Sequence, residues 1–186
     1  MNNLVVALVQ SGISEQTATL VAGQFTVKKY AKGDLFATEG HANMYLGFIE
    51  KGAFHYYYNH DGEEMTTYVV GQNGFVASLS SFLHRIPSKE NIQAIMPSTV
   101  YQIHKDAFDK LVKENEEVKA FYIGMLEYQI LCIDNSRHNL AVLTAEERYN
   151  KMLAEEPELI QQLPVQFVAS LLAITPRHLS RIRKNN

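Results

Sequence analysis

The last eleven residues, Pro176 to Asn186, contain Arg177, Arg181, Arg183 and Lys184 and no acid, so they carry +4 in a chain whose net charge is −3. The remainder therefore sums to −7. Salt screens exposed charge beyond about 10 Å, so contact with phosphate needs cations held close together, as they are here. Arginine adds base recognition: its fork of donors matches guanine N7 and O6 in a major groove about 12 Å wide, which admits an α-helix. The run from Pro164 to Ile182 can supply that helix. Val168, Leu171, Ile174, Leu179 and Ile182 suit two packed helices with a tight break between them, and the small Ala169 lets them approach. Thr175 can cap the second helix, with Pro176 at its favoured first position. Arg177, His178, Ser180, Arg181 and Lys184 then face outward, and with Gln166, Thr175 and Pro176 they form the candidate set for contacting double-stranded DNA. The competing reading is a helical hairpin that merely packs, its basic face incidental.

Other chemistry is thinly represented. The seven histidines, His41, His55, His60, His84, His104, His138 and His178, include no short-spaced ligand pair. His55 with Glu63 or Glu64 comes nearest to the metal site of a cupin-type β-barrel enzyme, without a His-x-His anchor. That enzyme is the second reading of the chain, and a β-roll serving only as a protein-interaction module is the third. The single cysteine, Cys132, excludes an internal disulfide and a four-thiolate iron–sulfur cluster, and it reads as a small helix hydrophobe. We expect no cofactor and no enzymatic activity.

Composition bounds what must position these residues. Apolar residues make up 46% and charged residues 20%, enough to bury a core and too balanced for a disordered chain. Neither a membrane span nor a signal peptide is legible in the sequence, and a cytoplasmic location is expected. Leu4, Val5, Leu8 and Val9 line one helical face, and Ser14 can cap a helix over Glu15 to Gln24. From Phe25 to about His104, short Val-, Ile-, Tyr- and Phe-rich runs alternate with Gly turns at Gly33, Gly40, Gly52 and Gly62, the pattern of a sandwich or barrel. Asp61-Gly62 is the clearest hairpin turn. Helix returns over Lys105 to Lys113, burying Phe108, Leu111 and Val112, and continues from Glu116 to Leu143. In that long helix Val118, Tyr122, Met125, Gln129, Cys132, Ser136, Asn139 and Leu143 fall at heptad spacing, with Phe121, Ile130, Ile133 and Leu140 on a neighbouring stripe. The heptad set is the expected seam of a homodimer, burial within one chain the alternative. Ala145 to Glu155 reads as a helix, Pro157 to Gln162 as a connection, and Pro164 to Leu172 and Pro176 to Lys184 as helices. Glu155-Glu156-Pro157-Glu158-Leu159 lacks a β-hairpin signature.

The ordered set resembles the Crp/Fnr family of bacterial transcription regulators. The resemblance is carried by Tyr30 to Gly40, Phe48-Ile49-Glu50-Lys51-Gly52, Asp61-Gly62-Glu63-Glu64, Val168 to Thr175, and Leu179-Ser180-Arg181-Ile182-Arg183-Lys184. It implies an α+β fold: a jelly-roll-like, cyclic-nucleotide-binding-like β-roll with flanking helices over 1–115, a dimerisation helix over 116–143, and a small all-α helix-turn-helix domain over 144–186. It implies DNA as partner, a homodimer, and RNA polymerase as a further partner. The family's nucleotide-binding members use a Gly-Glu loop for the ribose and an Arg-Ser pair for the cyclic phosphate. Here Ala77-Ser78-Leu79-Ser80 and Ser88-Lys89 stand in those places, so cAMP or cGMP is not the expected effector, and serine cannot replace the arginine's charge-assisted bonds. Arg85 and Lys89 are the nearby cations that could compensate, which makes Ser78, Leu79, Ser80, Arg85, Ser88 and Lys89 the candidate effector residues. Ala173 stands where the family commonly has glycine at the helix-turn-helix turn.

Overall fold

The computed structural model describes residues 3–155 and 157–185. Met1, Asn2, Asn186 and Glu156, the last within the segment read as lacking a hairpin, lie outside the described residues. Two short helices open the chain, α1 (Asn3–Gln10) and α2 (Glu15–Ala22). Ser14 caps α2, its side chain accepting from the Thr17 amide, as the sequence suggested.

Eight strands follow: β1 (Thr26–Tyr30), β2 (Leu35–Ala37), β3 (Tyr45–Lys51), β4 (Phe54–His60), β5 (Glu63–Val70) and β6 (Phe75–Val76), then, after the short helix α3 (Leu79–His84), β7 (Asn91–Ala94) and β8 (Ser98–His104). They form two antiparallel four-stranded sheets ordered β1-β8-β3-β6 and β2-β7-β4-β5. Strand periodicity sorts the side chains. Ile49, Phe54, Tyr56, Ile92 and Val100 fill the space between the sheets, while Leu46 and Phe48 of β3 point the other way, onto the helices. Gly47 has no room for a side chain, because a Cβ would sit 2.6 Å from Val100 and 2.8 Å from Val76. The β4–β5 turn has Asp61 at φ 50° and Gly62 at φ 83°, the two positive angles expected of the Asp-Gly hairpin.

The second half is helical: α4 (Lys105–Glu114), α5 (Glu116–Val142), α6 (Ala145–Glu155), α7 (Pro157–Gln162), α8 (Val165–Leu171) and α9 (Pro176–Asn185). Two expectations are corrected here. Residues 157–162 form a helix, not a connection, with Pro157 at a helix start where its missing N–H costs nothing. Residues 79–84, within the stretch read as short strands between Gly turns, are also helical. Among the described residues no strand follows β8, in keeping with the absence of a hairpin signature. Three buried clusters result: one between the sheets, one where β3 and β8 meet α1, α2, α4 and the first turns of α5, and one within α6 to α9.

Candidate nucleic-acid interface

The α8-turn-α9 unit is built around Val168, Ala169, Leu172, Leu179 and Ile182, all buried, with Leu171 and Ile174 partly so. The helix α8 ends in a Schellman motif: the Ile174 amide donates to the Ala169 carbonyl at 3.0 Å and the Ala173 amide to Ser170 at 2.9 Å. Such an ending needs a left-handed residue, and Ala173 takes that role at φ 53°. At the start of α9, Thr175 Oγ1 accepts from the His178 amide at 3.2 Å, and Pro176 occupies the first turn.

Capping and packing leave one side of α9 free. Arg177, Arg181 and Lys184, spaced four and three residues apart, project from the same side and are exposed. Ser180 is exposed beside them, its Oγ bonded back to the Pro176 carbonyl at 3.0 Å, and His178 is half-buried. Thr175, Pro176 and, on α8, Gln166 are exposed. The fourth cation, Arg183, is also exposed but reaches back to α6, its guanidinium 5.7 Å from the centre of the Tyr149 ring.

The long helix divides the expected seam. Val118 is fully buried in the chain's own core, and Tyr122 and Met125 pack against that core. Gln129 and Cys132 are half-buried, and Ser136 is exposed. Phe121 of the neighbouring stripe also packs on the core, and the rest of that stripe is exposed, as are Tyr128, Leu131 and Val142. Ile123, Ile130, Ile133 and Leu140 are exposed, with half-buried Leu126 completing a heptad spacing broken by Arg137. Sequence periodicity shows both stripes; only the position of the β-roll shows which one the chain itself covers.

The candidate effector residues do not converge on one space. Ser78 and Ser88, both buried, bond each other at 2.9 Å, and Ser88 Oγ donates to the Glu90 carbonyl at 2.7 Å. The buried Tyr56 hydroxyl accepts from the Ala77 amide at 3.2 Å, and burial pushes its phenol far up. Burial likewise raises the Glu90 carboxyl, against a bond from Tyr58. Leu79 and Ser80 are half-buried on α3, and Lys89 is exposed. Arg85 turns away to α4, pairing with Asp106 at 2.6 Å and Asp109 at 3.2 Å. It is therefore engaged elsewhere and does not stand in for a phosphate-binding arginine.

Residues 27–115 match the cyclic nucleotide-binding domain family. Similar solved structures include the c-di-GMP responsive global regulator CLP of Xanthomonas campestris, with TM-score 0.72, 13% identity, and coverage of 92% of this chain and 91% of that one. FixK2 of Bradyrhizobium japonicum has TM-score 0.74 and 18% identity, covering 87% and 83%. The catabolite activator protein of Thermus thermophilus has TM-score 0.62 and 17% identity, covering 96% and 85%. No curated protein sequence matches. The chain thus shares the fold of these solved structures, a β-roll followed by a helical extension. Among the described residues no helix is long and apolar enough to cross a membrane.

Proposed function

We propose that this chain is a homodimeric, non-enzymatic transcription regulator that binds double-stranded DNA through α9. The observation that carries the reading is the exposed Arg177, Arg181 and Lys184 side of a helix whose start is capped by Thr175 and whose other side is buried. Such a helix can enter a major groove, with Arg177 and Arg181 reading bases and Lys184, Ser180, Thr175 and Gln166 meeting backbone. Dimerisation runs along the free stripe of α5, Ile123, Leu126, Ile130, Ile133 and Leu140, and pairs the reading helices for a two-fold operator. RNA polymerase is the further partner proposed, and the location is cytoplasmic.

The β-roll does not use cAMP or cGMP in this reading. The Ser78–Ser88 bond and the engagement of Arg85 by α4 support it, since neither a ribose-binding carboxylate nor a free guanidinium faces the interior at those positions. The cupin-type alternative loses its best ligand. Both ring nitrogens of His55 already face protein partners, Thr66 and Gln93, and among the described residues no three His, Cys, Asp or Glu side chains cluster to hold a metal. Selection from random duplexes with the purified full chain tests the proposal. A palindrome with half-sites about one DNA turn apart supports it, and no enrichment over non-specific DNA overturns it.

A further inference from the structure

The other side of α8 rests on the outer face of the β-roll, and a histidine lies at the centre of that contact. His55 is fully buried, stacked on Tyr57 of its own strand with ring centres 4.8 Å apart and under Phe167 of α8 at 4.3 Å. Its Nδ1 lies 3.2 Å from Thr66 Oγ1 on β5 and its Nε2 3.2 Å from Gln93 Oε1 on β7. These partners fix the tautomer. Gln93 donates its amide to the Gly33 carbonyl at 2.9 Å, so its oxygen faces the ring and Nε2 carries the proton. Nδ1 then accepts from the Thr66 hydroxyl. The Thr66 carbonyl in turn accepts from Ser170 Oγ of α8 at 2.9 Å, and Val69 and Ile95 join the C-terminal core.

We propose that this contact is a pH-responsive dock, in which neutral His55 holds α8 against the sheet and its protonation releases the helix-turn-helix from the β-roll. The charge environment leaves burial decisive. Desolvation is the largest effect and pulls the His55 pKa below its ordinary 6.5, against the hydrogen bond to Gln93 and, more weakly, Glu64 on β5, both of which favour the charged ring. On β4, Tyr57 is itself pushed up by burial and stays neutral. The packed segment Asn91–Ala94 of β7 and the α8 segment Val165–Leu171 contain no ionisable side chain. On β5, besides Glu64, stand Glu63 and Tyr68, both exposed.

The sign follows. Removing Phe167 opens one ring face to water, so the undocked ring titrates nearer 6.5 than the docked one. The undocked state therefore binds the proton more readily. Docking is complete above about 6.5 and weakens as pH falls below it, by at most about tenfold per pH unit for one proton.

Nuclear magnetic resonance of the full chain between pH 8 and pH 5 tests the dock without relying on DNA binding. The expected result is that the amides of residues 165–171 move together with the His55 ring below pH 6.5 while the amides of β3 and β8 stay put. His55→Gln removes that movement and His178→Gln leaves it. Phe167→Ala, which spares the sheet's own hydrogen bonds, raises the His55 midpoint toward 6.5. Amides of α8 that ignore pH in the unmodified chain, a response that survives His55→Gln, or a His55 midpoint unmoved by Phe167→Ala would each overturn the dock. None of these outcomes bears on whether α9 reads DNA.

Discussion

Replacing Ala173 with glycine should stabilise the protein. Ala173 holds the left-handed position of the Schellman turn at φ 53°, a conformation that costs a residue with a Cβ roughly 1–2 kcal/mol. Its side chain is exposed, so no buried area is lost with the methyl group. Glycine's extra freedom in the unfolded chain offsets about 0.4–1 kcal/mol of the gain. The central net gain is about 0.8 kcal/mol, or roughly 2–3 °C in Tm for a chain of this size. Scanning calorimetry reads it, with Ala173→Val as the opposite control, because a β-branched residue at positive φ is a conformational outlier and should lower Tm. The two Schellman bonds are backbone bonds and survive both changes, so operator affinity should stay within about twofold for the glycine variant. An unchanged or lower Tm for Ala173→Gly would refute the claim that strain is held at this turn.

Further outcomes follow from the same geometry. Arg181→Ala should cost roughly 1–3 kcal/mol of operator affinity and relax one position of the site, whereas Arg183→Ala, which uncovers the Tyr149 ring, should lower Tm with little change in sequence preference; gel shifts paired with melting curves separate them. Ile130→Asp with Ile133→Asp should shift sedimentation from dimer to monomer, while Ser136→Ala, on the expected but different stripe, should leave the dimer intact. Glu117 accepts from the Ser14 amide at 2.8 Å and its hydroxyl at 2.7 Å, bonds that hold its carboxyl below the usual 4.5. Its contribution is therefore full above pH 4.5 and lost as pH falls through the lowered value; Glu117→Gln should flatten the acid limb of a stability-against-pH curve, and an unchanged limb would remove Glu117 from the account.

The β-roll and the α8-turn-α9 pair were legible for local reasons. Gly turns, period-two strands, the Thr175 cap and the first-turn Pro176 each act within a few residues, and the structure places them as read. Two features were not, and both depend on which faces meet. The long helix has apolar residues on adjoining stripes, and periodicity favoured the heptad set of Val118, Tyr122 and Met125 as the seam, whereas the β-roll covers that set and Phe121 of the neighbouring stripe, leaving Ile130, Ile133 and Leu140 exposed. His55 looked like a stray strand histidine with a carboxylate nearby. Its alternation with the inward Phe54 and Tyr56 did mark it as facing away from the β-roll interior, but nothing local indicated that Phe167 would close over it.

The position of α9 is consequently set by two ties that leave the interior of the β-roll out. Arg148, at the start of α6, donates to the Leu143 carbonyl at 2.5 Å and to the Leu172 carbonyl at 2.7 Å, joining the C-terminal ends of α5 and α8. Both ends present unpaired carbonyls and the negative end of the helix dipole, so one guanidinium satisfies two helices at once. The second tie is the sheet contact of Ser170 and Phe167 with Thr66 and His55. Arg148 ties α8 to α5, and the contact of Ser170 and Phe167 ties α8 to the β-roll. The outer face of β4 and β5 and the C-terminal end of α5 are the two surfaces to which α8, and through it α9, is tied.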